Sequence, residues 1–322
     1  MSLATTARRA FQPLWNALDD VAPACVDGAV LAISGGPDSR ALLESVARWR
    51  HRPTKLLVVA VDHGLRSAAR SEVAAVVDRA TRLGLLARSI ALHGLKPDEH
   101  SLRQARHQAL ADAARESGLG AVVYAHHRGD VAEGLLLHLA GQGGGRRGMA
   151  LRPIDRIDGL ARVRPFVALP KSTLAAALTA LGITDAVVDE EDRAGRNARA
   201  RLRAQMAAAF GADAPGREAS LARHAQLLRE DDDVIEALVP TGETAAAELP
   251  PAILRRWLRR QIARLSADPR TSPSALDTVI RIAAGTGTGS VAVAGGTVWI
   301  RATPEGRRLA VEPAHGQSPQ TA

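Results

Sequence analysis

Short apolar runs and amphipathic stretches alternate along the first half of the chain. The segments "AVLAIS" (29–34), "LLVVAVD" (56–62), "LARSIAL" (86–92) and "AVVYAH" (121–126) read as strands. Helical spacing fills the intervals near 38–50, 67–83, 98–117 and 130–140. Strands separated by helices predict an α/β fold, a parallel sheet with helices on both faces. Ligands of such sheets sit beyond the carboxyl ends of the strands. The turn-forming residues fall at those ends: Ser34 to Ser39, Asp62-His63-Gly64 and His126 to Asp130.

A glycine-rich segment, "GQGGGRRGMALRP" (141–153), interrupts the alternation and reads as a mobile loop. A strand-like piece at 161–169, a helix at 171–182 and an acidic-to-basic stretch at 189–206 follow. Composition places a domain boundary around "GADAPG" (211–216). Beyond it the pattern is helical first and β at its end, a smaller helical-plus-β-hairpin domain. In "PAILRRWLRRQIARL" (251–265), Leu254, Trp257, Leu258, Gln261 and Leu265 mark one face. Arg255, Arg256, Arg259, Arg260 and Arg264 crowd the other, either solvated or facing RNA. "SVAVAGGTVWIRA" (290–302) predicts a hairpin turned at Gly295-Gly296. The expected organisation is an N-terminal helix (1–24), an α/β domain (25–212), a smaller domain (213–312) and a disordered tail (313–322).

Charge adds a partner class. The formal net charge is +8, and 39 of the 42 basic residues are arginine, which favours a polyanionic partner read by guanidinium groups. A genome that favours arginine codons accounts for that bias equally well. One Tyr and three Phe argue against a stacking platform for single-stranded bases. Cys25 is the single cysteine, so an intramolecular disulfide is excluded, and a small buried hydrophobe is its expected role. No eighteen-residue apolar run and no apolar signal core occur, so no membrane association and a cytoplasmic location are expected.

The most informative segment is "SGGPDS". A strand that ends in Gly-Gly and runs into a helix exposes backbone N–H groups and a helix N-terminus, together an anion cradle. Ser34, Gly35, Gly36, Pro37, Asp38 and Ser39 form it, and the two serines add hydroxyl donors. There is no Gly-Lys-Ser/Thr, so it is not a Walker loop. Asp38 would repel phosphate unless Mg²⁺ mediates or unless the carboxylate caps the turn.

This loop resembles the SGGxDS pyrophosphate-binding loop of the N-type ATP pyrophosphatase (PP-loop) superfamily. "VDHGLR" (61–66), "RQARHQAL" (103–110), "AHHRGDVAEG" (125–134) and the arginines of 196–203 narrow the resemblance to the tRNA(Ile)-lysidine synthetase family. The similarity runs over roughly 25–310. It implies a ligase that uses ATP and Mg²⁺ to adenylate the wobble cytidine of a CAU-anticodon isoleucine tRNA. Free L-lysine then displaces AMP. It also implies catalytic roles for Asp38, His126, Asp130 and Glu133, and nucleotide contacts from Ser34 to Ser39, Asp62 and His63. Contacts to tRNA fall to Arg103, Arg106, Arg196, Arg199, Arg201 and Arg203. The metal ligands are not fixed by the sequence, and a homodimer is compatible with it.

The chain departs from the family pattern in places. Where the second motif reads Ala-His-x-x-Asp-Asp-x-x-Glu-Thr, this chain keeps His126, Asp130 and Glu133 but carries Gly129 and Gly134. His107 stands where a tyrosine is usual, and "EDR" (191–193) replaces a Pro-Ser-Asn element. The residues alone leave alternatives open. One is a diverged paralogue that adenylates another carbonyl, another a non-catalytic RNA-binding module. His126 can also be read as a buried imidazole, Asp130 and Glu133 as helix N-terminal acids, and the 196–203 arginines as partners of Asp189 to Asp192.

Overall fold

The computed structural model describes residues 5–62, 67–92, 99–140, 151–183, 198–265 and 273–313. His63, Arg196, the 141–150 loop, the acids at 189–192 and the tail from 314 lie outside the described residues. The chain divides into two compact units, Met1–Gln226 and Leu227–Ala322.

The first unit is built on a six-stranded sheet. Its strands are β1 (Ala29–Ala32), β2 (Leu56–Asp62), β3 (Leu86–Ala91), β4 (Ala121–Val123), β5 (Ile154–Ile157) and β6 (Leu160–Val163), in the order β3-β2-β1-β4-β6-β5. Every pairing is parallel except β5 with β6. Side chains of the central strands alternate between two cores, as a pleat of period two requires. Ala29, Leu31, Val58, Ala60, Ala121 and Val123 face one core. That core is completed by α1 (Thr5–Val21), α2 (Pro37–Arg48), α3 (Ser67–Arg82) and α6 (Lys171–Ala180). Val30, Val59, Val122 and Tyr124 face the other, against α4 (Glu99–Glu116). The expected parallel sheet with helices on both faces is the observed architecture.

Between β4 and α6 lies α5 (Arg128–Leu139); after α6 come α7 (Ala198–Phe210) and α8 (Ala214–Ala237). Strands β1, β3, β4 and β6 end earlier than the apolar runs suggest. β6 stops at Val163 because Pro165 has no N–H to continue a ladder. β5 carries no long apolar run and escapes a hydrophobicity reading. It is nevertheless announced by Asp158-Gly159, whose φ values of 51° and 78° make a two-residue hairpin turn.

The second unit sets α9 (Pro251–Leu265) and α10 (Pro273–Ala284) with a four-stranded antiparallel sheet. Its strands β7 (Thr244–Ala246), β8 (Gly289–Val293), β9 (Gly296–Thr303) and β10 (Gly306–Pro313) run in the order β7-β10-β9-β8. Leu254, Trp257 and Leu258 of α9 are in the core, and Gln261 donates to the Gly242 carbonyl at 2.9 Å. The arginine face differs from the sequence expectation. Arg256 is buried against Asp232 and lies 3.7 Å from Glu236; Arg260 pairs with Glu236 at 2.5 Å and Arg255 with Asp277 at 2.8 Å. These three arginines serve the unit's own acids.

The β8–β9 hairpin turns one residue earlier than expected. Val293 pairs with Gly296, leaving Ala294-Gly295 as the turn with Gly295 at φ 74°. Gly296 is required for a different reason: a Cβ there would stand 2.1 Å from the Glu312 carbonyl oxygen. Gly296→Ala should therefore cost about 1–3 kcal/mol, read as a lower urea midpoint with an unchanged slope.

Candidate active site

β1 is the point where the strand order reverses, with β2 on one side and β4 on the other. A crevice opens there at the carboxyl ends, the preferred ligand position in such sheets. The segment after β1 and the segment after β4 meet in it.

The loop after β1 turns on Gly35, whose φ of 86° belongs to the left-handed region. Gly36 is the extended N-cap of α2 and Pro37 opens the helix. The first N–H groups of α2 have no acceptor in their own helix, and with the macrodipole they present positive potential to the crevice. The serines hydrogen-bond within the loop. Ser39 Oγ accepts from the Ser34 N–H at 3.2 Å and donates to the Gly36 carbonyl at 2.9 Å. Ser34 Oγ lies 3.2 Å from Ser39 Oγ. The buried Ser39 hydroxyl braces the loop, and Ser34 keeps an exposed side chain. Asp62 is buried at the end of β2, and its carbonyl accepts from the Leu92 N–H at 2.8 Å.

Asp38 projects from the first turn of α2. Its Oδ2 is 3.4 Å from Lys171 Nζ and 3.7 Å from His127 Nε2. Neither Lys171 nor His127 stands out in the sequence. His127 does two more things: its Nδ1 accepts the Gly129 N–H at 3.0 Å, and its own N–H donates to Asp130 Oδ2 at 2.8 Å, a reciprocal cap on α5. Asp130 is thus a helix-capping acid as well as a crevice residue, with Arg199 3.7 Å away. Burial opposes its ionisation, but His127, with its backbone N–H, and Arg199 outweigh that and hold its pKa below the usual carboxylate value. Glu133, one turn on, is buried and takes Arg203 Nε at 2.8 Å. The acids of α5 therefore meet the arginines of α7.

Glu133, Arg203, Lys171, His127, Gly129 and Glu218 line an open cleft of about 210 Å³ next to the nucleotide loop. Among the described residues no three His, Cys, Asp or Glu side chains converge as a metal site.

His126 points the other way. It lies on the α4 side with Tyr124, ring centroids 5.7 Å apart, and its buried Nδ1 has no hydrogen-bond partner among the described residues. Burial, followed by Arg164, Arg199 and Arg106 against the pull of Asp130, drops its pKa to about 3. His107, 3.0 Å from the Tyr124 hydroxyl, is likewise dropped to about 3 by burial and by Arg106, Arg162, Arg103 and Arg164. Arg162 and Arg164 of the β6 end were not singled out in the sequence; Arg164 is buried, with its guanidinium 5.7 Å from the Tyr124 ring centroid. Arg106, Arg103 and Arg199 are thus brought together around two neutral imidazoles. The side chains of Arg103 and Arg201 are exposed.

Those histidines make an acid-stability prediction. The unfolded chain protonates them near 6.5, the folded chain only near 3. Below pH 6.5 the unfolded state binds more protons, so stability should fall as pH drops. Unfolding at pH 5 should take up about one to two protons, measured from the pH dependence of urea melts. His107→Gln/His126→Gln should flatten that dependence.

Cys25 is buried, and burial raises its thiol to about 11, so it is inert at neutral pH. No helix among the described residues is long and apolar enough to cross a membrane.

Comparison with known proteins agrees with this geometry. A family described as a PP-loop domain matches residues 6–210. A tRNA(Ile)-lysidine synthase of Methylobacterium nodulans is 40% identical over 264 residues, covering 75% of this chain and 76% of its own. One of Bradyrhizobium sp. is 38% identical over 268 residues, covering 74% of each chain. Among solved structures, the U34-tRNA thiolase NcsA of Methanococcus maripaludis superposes with a TM-score of 0.55 at 14% identity, over 69% of this chain and 79% of its own, a likeness of fold. A glycine-turned loop at the strand-order reversal, the acids and arginines around it, and these matches along most of the chain make it a member of the tRNA(Ile)-lysidine synthase family, built on a PP-loop domain.

Proposed function

We propose that the chain joins lysine to the wobble cytidine of a CAU-anticodon isoleucine tRNA in two steps. The cytidine 2-carbonyl oxygen attacks the α-phosphate of ATP and pyrophosphate leaves. An amine of lysine then attacks the activated carbon, loses a proton, and AMP leaves. The observation that carries this reading is the meeting of the glycine-turned loop with Asp38, Lys171 and His127 in one crevice.

Each group has a task there. The amides of the Gly35–Ser39 turn and the α2 N-terminus hold the departing pyrophosphate, where negative charge builds up. Lys171 adds a cation on the same side. Asp38 fits Mg²⁺ carried in mainly by nucleotide phosphates, in keeping with the lack of a three-ligand cluster among the described residues; such an ion would neutralise phosphate charge. His126, partly buried and held neutral mainly by that burial, lies near Tyr124 and shapes the wall beside the arginines. Arg103, Arg106, Arg162 and Arg199 supply the positive surface for the RNA backbone and the exposed cytidine, with the buried Arg164 behind them. Arg106 Nε is buried without a hydrogen-bond acceptor among the described residues, a donor suited to an incoming polar group. Glu133 in the adjoining cleft faces the lysine side of the reaction.

The test is transfer of radiolabelled lysine to a CAU-anticodon isoleucine tRNA in the presence of ATP and Mg²⁺. Label in an acid-stable nucleoside, with one AMP formed per lysine, is the expected result. ATP cleavage that depends on the tRNA but transfers no lysine would overturn the proposal.

A further inference from the structure

Gly129 stands where the family motif carries an acid, and the structure shows what fills the space. The His127 ring is folded back so that Nδ1 accepts the Gly129 N–H at 3.0 Å. A Cβ at position 129 would lie 2.8 Å from His127 Cε1 and 3.0 Å from Nδ1. The same Cβ would lie 3.3 Å from Glu218 Oε2, which comes from α8. A carboxylate therefore already sits over Gly129, delivered by another helix. Glu218 is held there by Arg128, whose Nε donates to Oε1 at 3.1 Å, so that Oε2 is the oxygen turned to Gly129.

Charge makes this placement consequential. The cleft beside the nucleotide loop is lined by the cations Lys171 and Arg203 and by the carboxylates Glu133 and Glu218. Lys171 and Arg203 against Glu133 alone would leave the lining net positive and repel an amine in its ammonium form; Glu218, whose own partner Arg128 is not among the lining residues, brings the lining to charge balance. Glu218 brings a second carboxylate, only 25% exposed, to the same wall.

We propose that Glu218 is a specificity-determining residue that replaces the acid missing at position 129 and, with Glu133, captures the ammonium of the incoming amino acid. This rests on the lysine-ligase reading above. Gly129 is then not a lesion in the motif but half of an exchange between two helices.

The experiment varies lysine at saturating ATP and tRNA for the full chain and for Glu218→Gln and Glu218→Asp. Glu218→Gln should raise the KM for lysine about 10- to 100-fold and leave the KM for ATP and the tRNA adenylation rate within about twofold. Glu218→Asp, which keeps the charge, should recover most of the loss. A lysine KM unchanged in Glu218→Gln, or parallel losses for lysine and ATP in both variants, would overturn the inference while the ligase reading stands. Failure of the unmodified protein to transfer lysine at all would overturn the ligase reading itself, and the inference with it.

Discussion

Glu44→Ala should lower the stability of the first unit by about 3–5 kcal/mol. Glu44 is fully buried on α2 and meets three guanidinium groups. Arg79 Nε reaches Oε1 at 2.8 Å and its Nη2 reaches Oε2 at 3.0 Å; Arg48 holds Oε2 at 2.6 Å, and Arg40 Nε is 3.2 Å from Oε1. Burial opposes the charge, but Arg79 and Arg48 outweigh it, and the carboxyl stays below its ordinary pKa. Removing the acid leaves three poorly solvated cations facing one another, which is why the cost exceeds that of a lost surface pair. Thermal melts should show a fall of several degrees or more. Glu44→Gln, which keeps the shape but not the charge, should fall between the two proteins. The sign with pH follows: a lowered carboxyl stabilises above about pH 4 and that contribution fades as pH falls further. Because Arg79 belongs to α3 and Glu44 to the helix that carries the nucleotide loop, the KM for ATP should rise in the same variants. Unaltered melting in Glu44→Ala would show the cluster to be inessential.

Lys171→Met should reduce tRNA-dependent pyrophosphate release about 10²- to 10³-fold in kcat/KM for ATP. The side chain is half exposed, so stability should move by no more than about 0.5 kcal/mol. Its Nζ faces Asp38 beside the loop amides, where a cation opposes the charge that gathers on the leaving group. Lys171→Arg should restore only part of the rate, because a planar guanidinium does not fit the position of a compact ammonium. A methionine variant with full turnover would leave the Asp38–Lys171 pair a surface ion pair and nothing more.

The fold was largely legible because its central strands are covered on both faces and therefore read as continuous apolar runs. Gly-Gly-Pro after β1 was legible for a related reason: a positive φ at Gly35 and a proline at the first helical position leave a chemical signature in the sequence. β5 was missed by its polarity, although Asp158-Gly159 marked the turn. Lys171 looks like any lysine at a helix start; only the packing of α6 beside α2 brings it to Asp38. His127 could have been found by parity. Val122, Tyr124 and His126 share the α4 side, whereas Ala121, Val123 and Ala125 pack on the α2 side, so the next residue of that set faces the loop. The sequence motif drew attention to His126, one residue and one sheet face away. Glu218 had no local signal at all, lying 90 positions beyond Arg128.

The ring of His127 folded over Gly129 has a consequence for rebuilding this corner. A β-carbon at position 129 would stand 2.8 Å from His127 Cε1 and 3.3 Å from Glu218 Oε2, so any side chain placed there obliges the ring to swing and the carboxylate to give way. Positions 127, 129 and 218 therefore have to be redesigned as a set, and grafting an acid onto 129 alone would disturb the cap of α5 before it added a ligand.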